Sequence, residues 1–197
     1  MFQHRRCTAE SCGSYCFLDT DFCFRHLENS LSVLNTTVKG HPEEKPFANY
    51  VFTGGIFSSL DFSKHEFHVC SFHGAQFENV SFNDCVFRLC YFDFALFHNC
   101  NFSGSDIKYS VFAGSKFSNC TFSHSDTLHT NFNGIIADKL SFDDSDLYYS
   151  CFTAAELNNA SFRDCNLKKV SFVDSTRKEV NFKYSNYEEA DFGGPKE

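Results

Sequence analysis

From Phe47 to Phe192 every fifth residue is a large hydrophobe. Of the 30 positions in this phase, 22 are Phe, and five more are Ile107, Leu147, Leu157, Leu167 and Tyr187. Only Thr127, Ala137 and Arg177 break the rule, and none of them shifts the phase. A period of five is neither the 3.6 of an amphipathic helix nor the 2 of a flat strand. A short repeat kept without insertion implies a solenoid, in which each unit buries its face only against its neighbours.

The rest of the unit follows its own rule. Two residues before the hydrophobe stands a small one, as at Cys70, Ala75, Val80, Cys85, Cys90, Ala95, Cys100 and Ser105. One residue before it there is often Asn, Asp or Ser, as at Asn101, Asp106, Asn131, Asp146 and Asp191. Runs such as Cys100-Asn101-Phe102-Ser103-Gly104 and Ala190-Asp191-Phe192 resemble the pentapeptide-repeat family, whose unit reads small, Asn/Asp, Leu/Phe and two variable residues. The resemblance spans about three quarters of the chain. It implies an all-β solenoid, a right-handed quadrilateral β-helix with four repeats per coil.

Four units per coil place residues 20 apart on top of one another, about 4.8 Å away. The repeat region then makes about seven coils and a rod roughly 35 Å long. Phe and the small residues point inward, and burial of the rings drives folding against chain entropy. At Thr127, Ala137 and Arg177 the stacked core is interrupted, and local bulging is expected, with Leu128 or Ile136 filling in. The outward column through Asn79, Asn99, Asn119 and Asn159 reads as a turn ladder bonded from coil to coil. The column of Gly54, Gly74, Gly114 and Gly134 suits turns of positive φ.

The chain divides into a cap over residues 1–46, the repeats over 47–192 and a tail over 193–197. In the cap, Cys7-x4-Cys12-x10-Cys23-x2-His26 has the spacing of a Cys3His zinc knot, with Cys16 an alternative ligand and His4 a weaker one. The pattern resembles small Cys-x4-Cys…Cys-x2-His zinc modules. The other reading is a set of free thiols in a hydrophobic lid. With four protein ligands the zinc would be structural, since no position stays open for water. Phe24, Leu27, Leu31 and Leu34 predict an amphipathic helix over about 22–34. A solenoid's first coil exposes an apolar end and unpaired edges, and this segment is placed to cover it. The last coil is to be closed by Tyr184 and Tyr187 or by a second copy, making a homodimer through the C-terminal end.

The net charge of −8 argues against direct nucleic-acid binding. No 18-residue apolar run exists to span a membrane, and residues 1–14 lack an apolar signal core. Those features, with repeat cysteines in the small inward slot, fit a reducing cytoplasm. No catalytic motif emerges, which points to a protein that is not an enzyme. One stripe combines basic and aromatic residues: Arg88, Lys108, Tyr109, His129, Tyr148, Tyr149, Lys168 and Lys169. It is a candidate surface for a protein partner, with a plain solvated face as the other reading. Beside it Asp106, Asp126 and Asp146 stack into an acidic column that needs donors nearby.

Three functions follow: a non-enzymatic interaction module presenting the rod to a macromolecular partner, a DNA mimic, or a zinc-capped regulator whose knot is the recognition site. The second is implied by the resemblance, since some family members bind DNA gyrase or topoisomerase IV. The modest acidic excess of the repeats, the missing inserted loop and the missing dimerising C-terminal helix depart from those members.

Overall fold

The computed structural model describes residues 5–42 and 44–194. It shows a parallel β-solenoid of about seven coils, preceded by one short helix, α1 (Ser30–Lys39). Pairing runs in steps of 20 residues, as in Phe47↔Phe67, Phe67↔Phe87 and Phe87↔Ile107. Two sides of the rod are continuous parallel sheets. One has five strands, from Phe47–Ala48 to Asp126–Leu128, and the other seven, from Ile56–Ser58 to Thr176–Lys178. The two remaining sides are held by single bridges such as Val51↔Ser71 and Asp61↔Ser81.

A typical strand is three residues long, with the central ring buried and its neighbours facing out, as in Gln76–Glu78. Such a strand gains nothing alone; its backbone groups are satisfied by the coils above and below. Gln76 N–H donates to the Gly55 carbonyl at 2.9 Å and Phe72 N–H to the Tyr91 carbonyl at 2.6 Å. Each side ends in a residue of left-handed backbone that turns the chain through the corner. Gly54, Gly74, Gly114 and Gly134 take these positions on one corner. On the others the left-handed residues are mostly not glycine.

The Phe rings form columns along the rod. Phe57, Phe77, Phe97 and Phe117 follow one another at 4.7, 4.8 and 4.8 Å, with planes within 17° of parallel. These spacings exceed the ~3.5 Å thickness of a ring, so neighbours are slipped, the arrangement their quadrupoles favour. Between columns the rings meet edge to face, as Phe67 and Phe72 do at 5.8 Å and 69°.

The small inward slot is more specific than size requires. Ser105 Oγ donates to the Phe82 carbonyl at 2.7 Å, Ser115 to Phe92 at 2.6 Å and Ser150 to Thr127 at 2.8 Å, each 23 residues back. Cys85 Sγ donates in the same way to the Phe62 carbonyl at 2.9 Å and Cys165 to Phe142 at 2.9 Å. Burial pushes both thiols up to about 12, so they remain protonated donors. Cys85 and Cys165 are therefore buried thiols in a serine's role, and Cys85→Ser should change stability by less than about 1 kcal/mol in urea melts. A loss several times larger would mean that the sulfur's volume, and not its hydrogen bond, is what the slot requires.

Three expectations change. The coil does not bulge at Ala137, which pairs in register with Phe117 and Leu157. Two residues before it Ile135, larger than the usual occupant of the small slot, is fully buried, while Ile136 is exposed. Thr127 is likewise buried without a shift and bonds Ser125 Oγ at 2.8 Å. The helix begins at Ser30 and not near residue 22. Residues 21–29 bend instead, with His26 N–H and Leu27 N–H both donating to the Cys23 carbonyl and Asn29 left-handed. Of the helical hydrophobes only Leu34 enters the core, and Leu31 is 54% exposed. At the far end Tyr184 and Tyr187 do not close the last coil, since both are exposed; the Arg177 guanidinium lies over the Phe192 ring at 4.9 Å. No helix among the described residues is long and apolar enough to cross a membrane.

Candidate metal centre and docking surface

The segment that fails to become a helix does so around a cluster. The ligand atoms of Cys7, Cys12, Cys23 and His26 all lie within 4.8 Å of one another. Cys7 arrives on a short antiparallel turn, where Arg6 pairs with Tyr15 and Cys7 N–H donates to the Ser14 carbonyl. The turn at Cys23 brings His26 back toward it. Cys7 Sγ and Cys23 Sγ each stand 3.5 Å from His26 Nδ1, and Cys12 Sγ stands 3.9 Å from Cys23 Sγ. A tetrahedron with zinc–sulfur bonds of about 2.3 Å and a zinc–nitrogen bond of about 2.0 Å has sulfur–sulfur edges of about 3.8 Å and sulfur–nitrogen edges of about 3.5 Å. Three thiols and an imidazole at these separations fit a zinc ion.

The electrostatics favour the thiolate at Cys7 and Cys12 but not at Cys23. Burial pushes the Cys7 thiol up, but backbone hydrogen bonds at Cys23 and Ala9 and the His26 ring outweigh it and hold it at about 6. A backbone hydrogen bond at Ser14 lowers Cys12, whereas burial raises Cys23. His26 is raised chiefly by its hydrogen bond with Cys7. Cys16 stays outside the cluster; it is buried, and its N–H donates to the Arg5 carbonyl. His4 lies outside the described residues.

The knot is wired to the rod through the residues between its ligands. Phe17 is fully buried, 4.8 Å from Phe24 and 6.2 Å from Phe52 of the first coil. Leu18 N–H donates to the Val51 carbonyl at 2.6 Å, pairing an edge that would otherwise face water. His41 stacks on Phe47 at 3.6 Å and closes the column of Phe47, Phe67 and Phe87.

The aromatic stripe is a ladder at one corner. Tyr109 and His129 stack at 5.1 Å, His129 and Tyr149 at 5.1 Å, and Lys169 Nζ lies 4.7 Å above the Tyr149 ring. Tyr148 braces the ladder edge-on against Tyr149 at 5.2 Å. The basic residues of the stripe are mostly committed within the chain. Arg88 and Lys108 both pair with Asp106, and Lys168 lies 3.7 Å from Glu189. Burial alone would raise the Asp106 carboxyl, but Arg88 and Lys108 hold it below the usual range. Asp146 accepts from Tyr148 N–H and Asn166 Nδ2, both at 2.9 Å, while Asp126 is exposed. The acidic column is thus partly neutralised from within.

The backbone of that corner was not legible in the residues. Val69, Leu89, Tyr109, His129, Tyr149 and Lys169 all have φ between 50° and 62°. Across the seven-stranded sheet the equivalent positions of another corner are Asn79, Asn99, Asn119 and Asn159, with the same left-handed φ. There Asn99 Nδ2 donates to Asn79 Oδ1 at 3.1 Å and Asn119 Nδ2 to Asn99 Oδ1 at 3.3 Å. Asn accepts the left-handed region readily; β-branched and bulky residues do so at a cost.

Comparison with known proteins places this geometry in a group. The chain matches the pentapeptide repeat region over residues 115–192 and pentapeptide repeats, in eight copies, over residues 70–108. No curated protein matches it. Among solved structures it is similar to HetL, a pentapeptide repeat protein involved in heterocyst differentiation regulation from the cyanobacterium Nostoc (9% identity, 80% of this chain and 94% of that one, TM-score 0.32). It is also similar to QnrB1, a plasmid-mediated fluoroquinolone resistance protein (15% identity, 70% and 79%, TM-score 0.39). A third is a pentapeptide repeat protein of the Arabidopsis thaliana thylakoid lumen (17% identity, 62% and 68%, TM-score 0.32). With both matched stretches covering more than half of its residues, the chain belongs to the pentapeptide-repeat family.

Proposed function

We propose that this protein is a non-enzymatic docking rod: a zinc-locked cap nucleates and covers the solenoid, and the aromatic corner presents Tyr109, His129 and Tyr149 to a protein partner. The observation that carries the docking role is the contrast between two corners of one rod. At equivalent left-handed turns, one corner uses Asn at four of its seven positions, with Ser59, Lys139 and Glu179 at the others, whereas the other, after Asn49, uses bulky side chains, with Leu89, Tyr109 and Tyr149 each about half exposed. Turn geometry alone selects Asn or Gly there, so the ladder's residue types answer a second demand. Stacked aromatics that are pre-ordered lose little entropy on binding, which is why Tyr is enriched at interfaces. The zinc reading rests on three thiols and an imidazole whose ligand atoms lie within 4.8 Å of one another, with three of the separations at 3.5, 3.5 and 3.9 Å, and elemental analysis of the purified protein should give about one zinc per chain.

The docking test uses the triple variant Tyr109→Asn, His129→Asn and Tyr149→Asn. Asn suits the backbone, so the variant should melt at or above the wild-type temperature while losing the protein captured by wild-type bait. Recovery of the same protein by both baits at equal yield would sink the docking reading without touching the zinc one.

A further inference from the structure

A different edge of the rod carries a self-complementary pattern. On the corner next to the seven-stranded sheet the left-handed column reads Gly54, Gly74, Phe94, Gly114, Gly134. Phe94 is the one large residue in this run and is 63% exposed. On the sheet beside it the outward row reads Ile56, Gln76, Leu96, Lys116, Ile136, with all three aliphatics about 40% exposed above a shallow groove of about 440 Å³. The apolar residues and glycines of both rows are symmetric about the same coil, with Gln76 opposite Lys116 as the one mismatch. Phe94 lies between pairs of glycines, and Leu96 lies between one isoleucine two coils below and another two coils above.

We infer that this edge binds a second copy of the chain, antiparallel, about a two-fold axis that crosses the rod at the coil of Phe94 and Leu96. That operation reverses the coil order and keeps each row opposite itself. Leu96 meets its own copy, and Ile56 of each chain meets Ile136 of the other. Shifting the axis one coil toward Lys116 sets that lysine against its own copy, and shifting it one coil the other way leaves Ile136 without an apolar partner, so the centred register joins the most apolar residues and avoids like charges. In that register Lys116 faces the strand Gln76–Glu78 of the second copy, where Glu78 complements it.

The glycines fit the same register. The Phe94 ring leans over Gly114, where a Cβ would come within 2.7 Å of it. Gly74, one coil to the other side, has nothing within 4 Å of such a Cβ. Because the axis reverses coil order, the second copy's Phe94 ring leans toward Gly74, into the space the first copy leaves open. The five coils involved give a contact about 24 Å long, a strip at the small end of the specific range, so the dimer should be reversible with a Kd of roughly micromolar order. This contact is separate from the aromatic corner and from the C-terminal end.

Sedimentation velocity of the full chain over a concentration series tests it. Wild type should shift from monomer to dimer, and Phe94→Asn should weaken the dimer about 30-fold or more. Asn is accepted at that φ, so thermal melts should show Phe94→Asn as stable as wild type. Separately, Leu96→Cys should cross-link to its own copy with a short bis-maleimide, whereas Glu66→Cys on the five-stranded sheet should not. Three results overturn the proposal. These are a wild type that stays monomeric into hundreds of micromolar, a dimer indifferent to Phe94→Asn, and a dimer lost only when Tyr184 and Tyr187 are replaced, which would place the contact at the C-terminal end.

Discussion

Removing the metal, by a strong chelator or through Cys23→Ser, should lower the melting temperature of the whole rod by about 10–20 °C. The knot is small, but its loops carry Phe17 onto Phe52 of the first coil and pack Phe24 against Phe17. If zinc joins the three thiols and His26, its loss releases the turn that seats Phe17. Two buried Phe side chains then return to water, at about 2–3 kcal/mol each. The Val51 carbonyl also loses the Leu18 N–H that covers it. In a solenoid, coils are stabilised mainly by neighbours, so loss of the cap transmits to the first coils and propagates. Calorimetry with and without chelator, alongside metal content, makes the measurement. A midpoint unmoved by chelation in a protein that does contain zinc would show that the knot folds apart from the rod.

The second large effect lies at the rod's centre. Phe92→Ala should cost about 3–5 kcal/mol in urea unfolding. Phe92 stacks on Phe72 at 4.6 Å and on Phe112 at 4.6 Å, and it meets the edge of Phe87 at 5.4 Å. Coil spacing is held by backbone hydrogen bonds on all four sides, so the neighbours cannot close the gap. The hole should stay dry and apolar, and benzene should restore part of the lost stability. A cost below about 1 kcal/mol would mean that the coils collapse around the gap and that the columns are not rigid.

The two predictions rest on features with different visibility in the sequence. The core was legible because a period of five over 146 residues admits one inside and one outside. Each Phe found its partner 20 residues away, with the register the repeat imposes. The four zinc-ligand candidates were legible as a spacing, but not which of Cys12 and Cys16 joins, since both lie within loop reach of Cys7. Their separation came from a turn, Arg6 against Tyr15, that aims Cys12 at Cys23 and buries Cys16 elsewhere. The helix was misplaced because the spacing of Phe24, Leu27, Leu31 and Leu34 serves two structures. Its first half wraps the Cys/His cluster, and only its second half is helical.

The sequence by itself determined the repeat and the inward and outward faces, because periodicity acts locally and every unit repeats the same choice; the coil of four units came with the family resemblance. Tertiary structure alone decided which corners carry strain and which residues stand side by side. The left-handed φ of Val69 or Tyr109 belongs to a turn that closes only when four sides meet, and residue type would have argued against it. The ladder of Tyr109, His129 and Tyr149, the pairing of Asp106 with Arg88 and Lys108, and the lean of Phe94 over Gly114 are contacts between coils. Their geometry depends on rotamers and on the rise between coils, which a one-dimensional pattern does not encode.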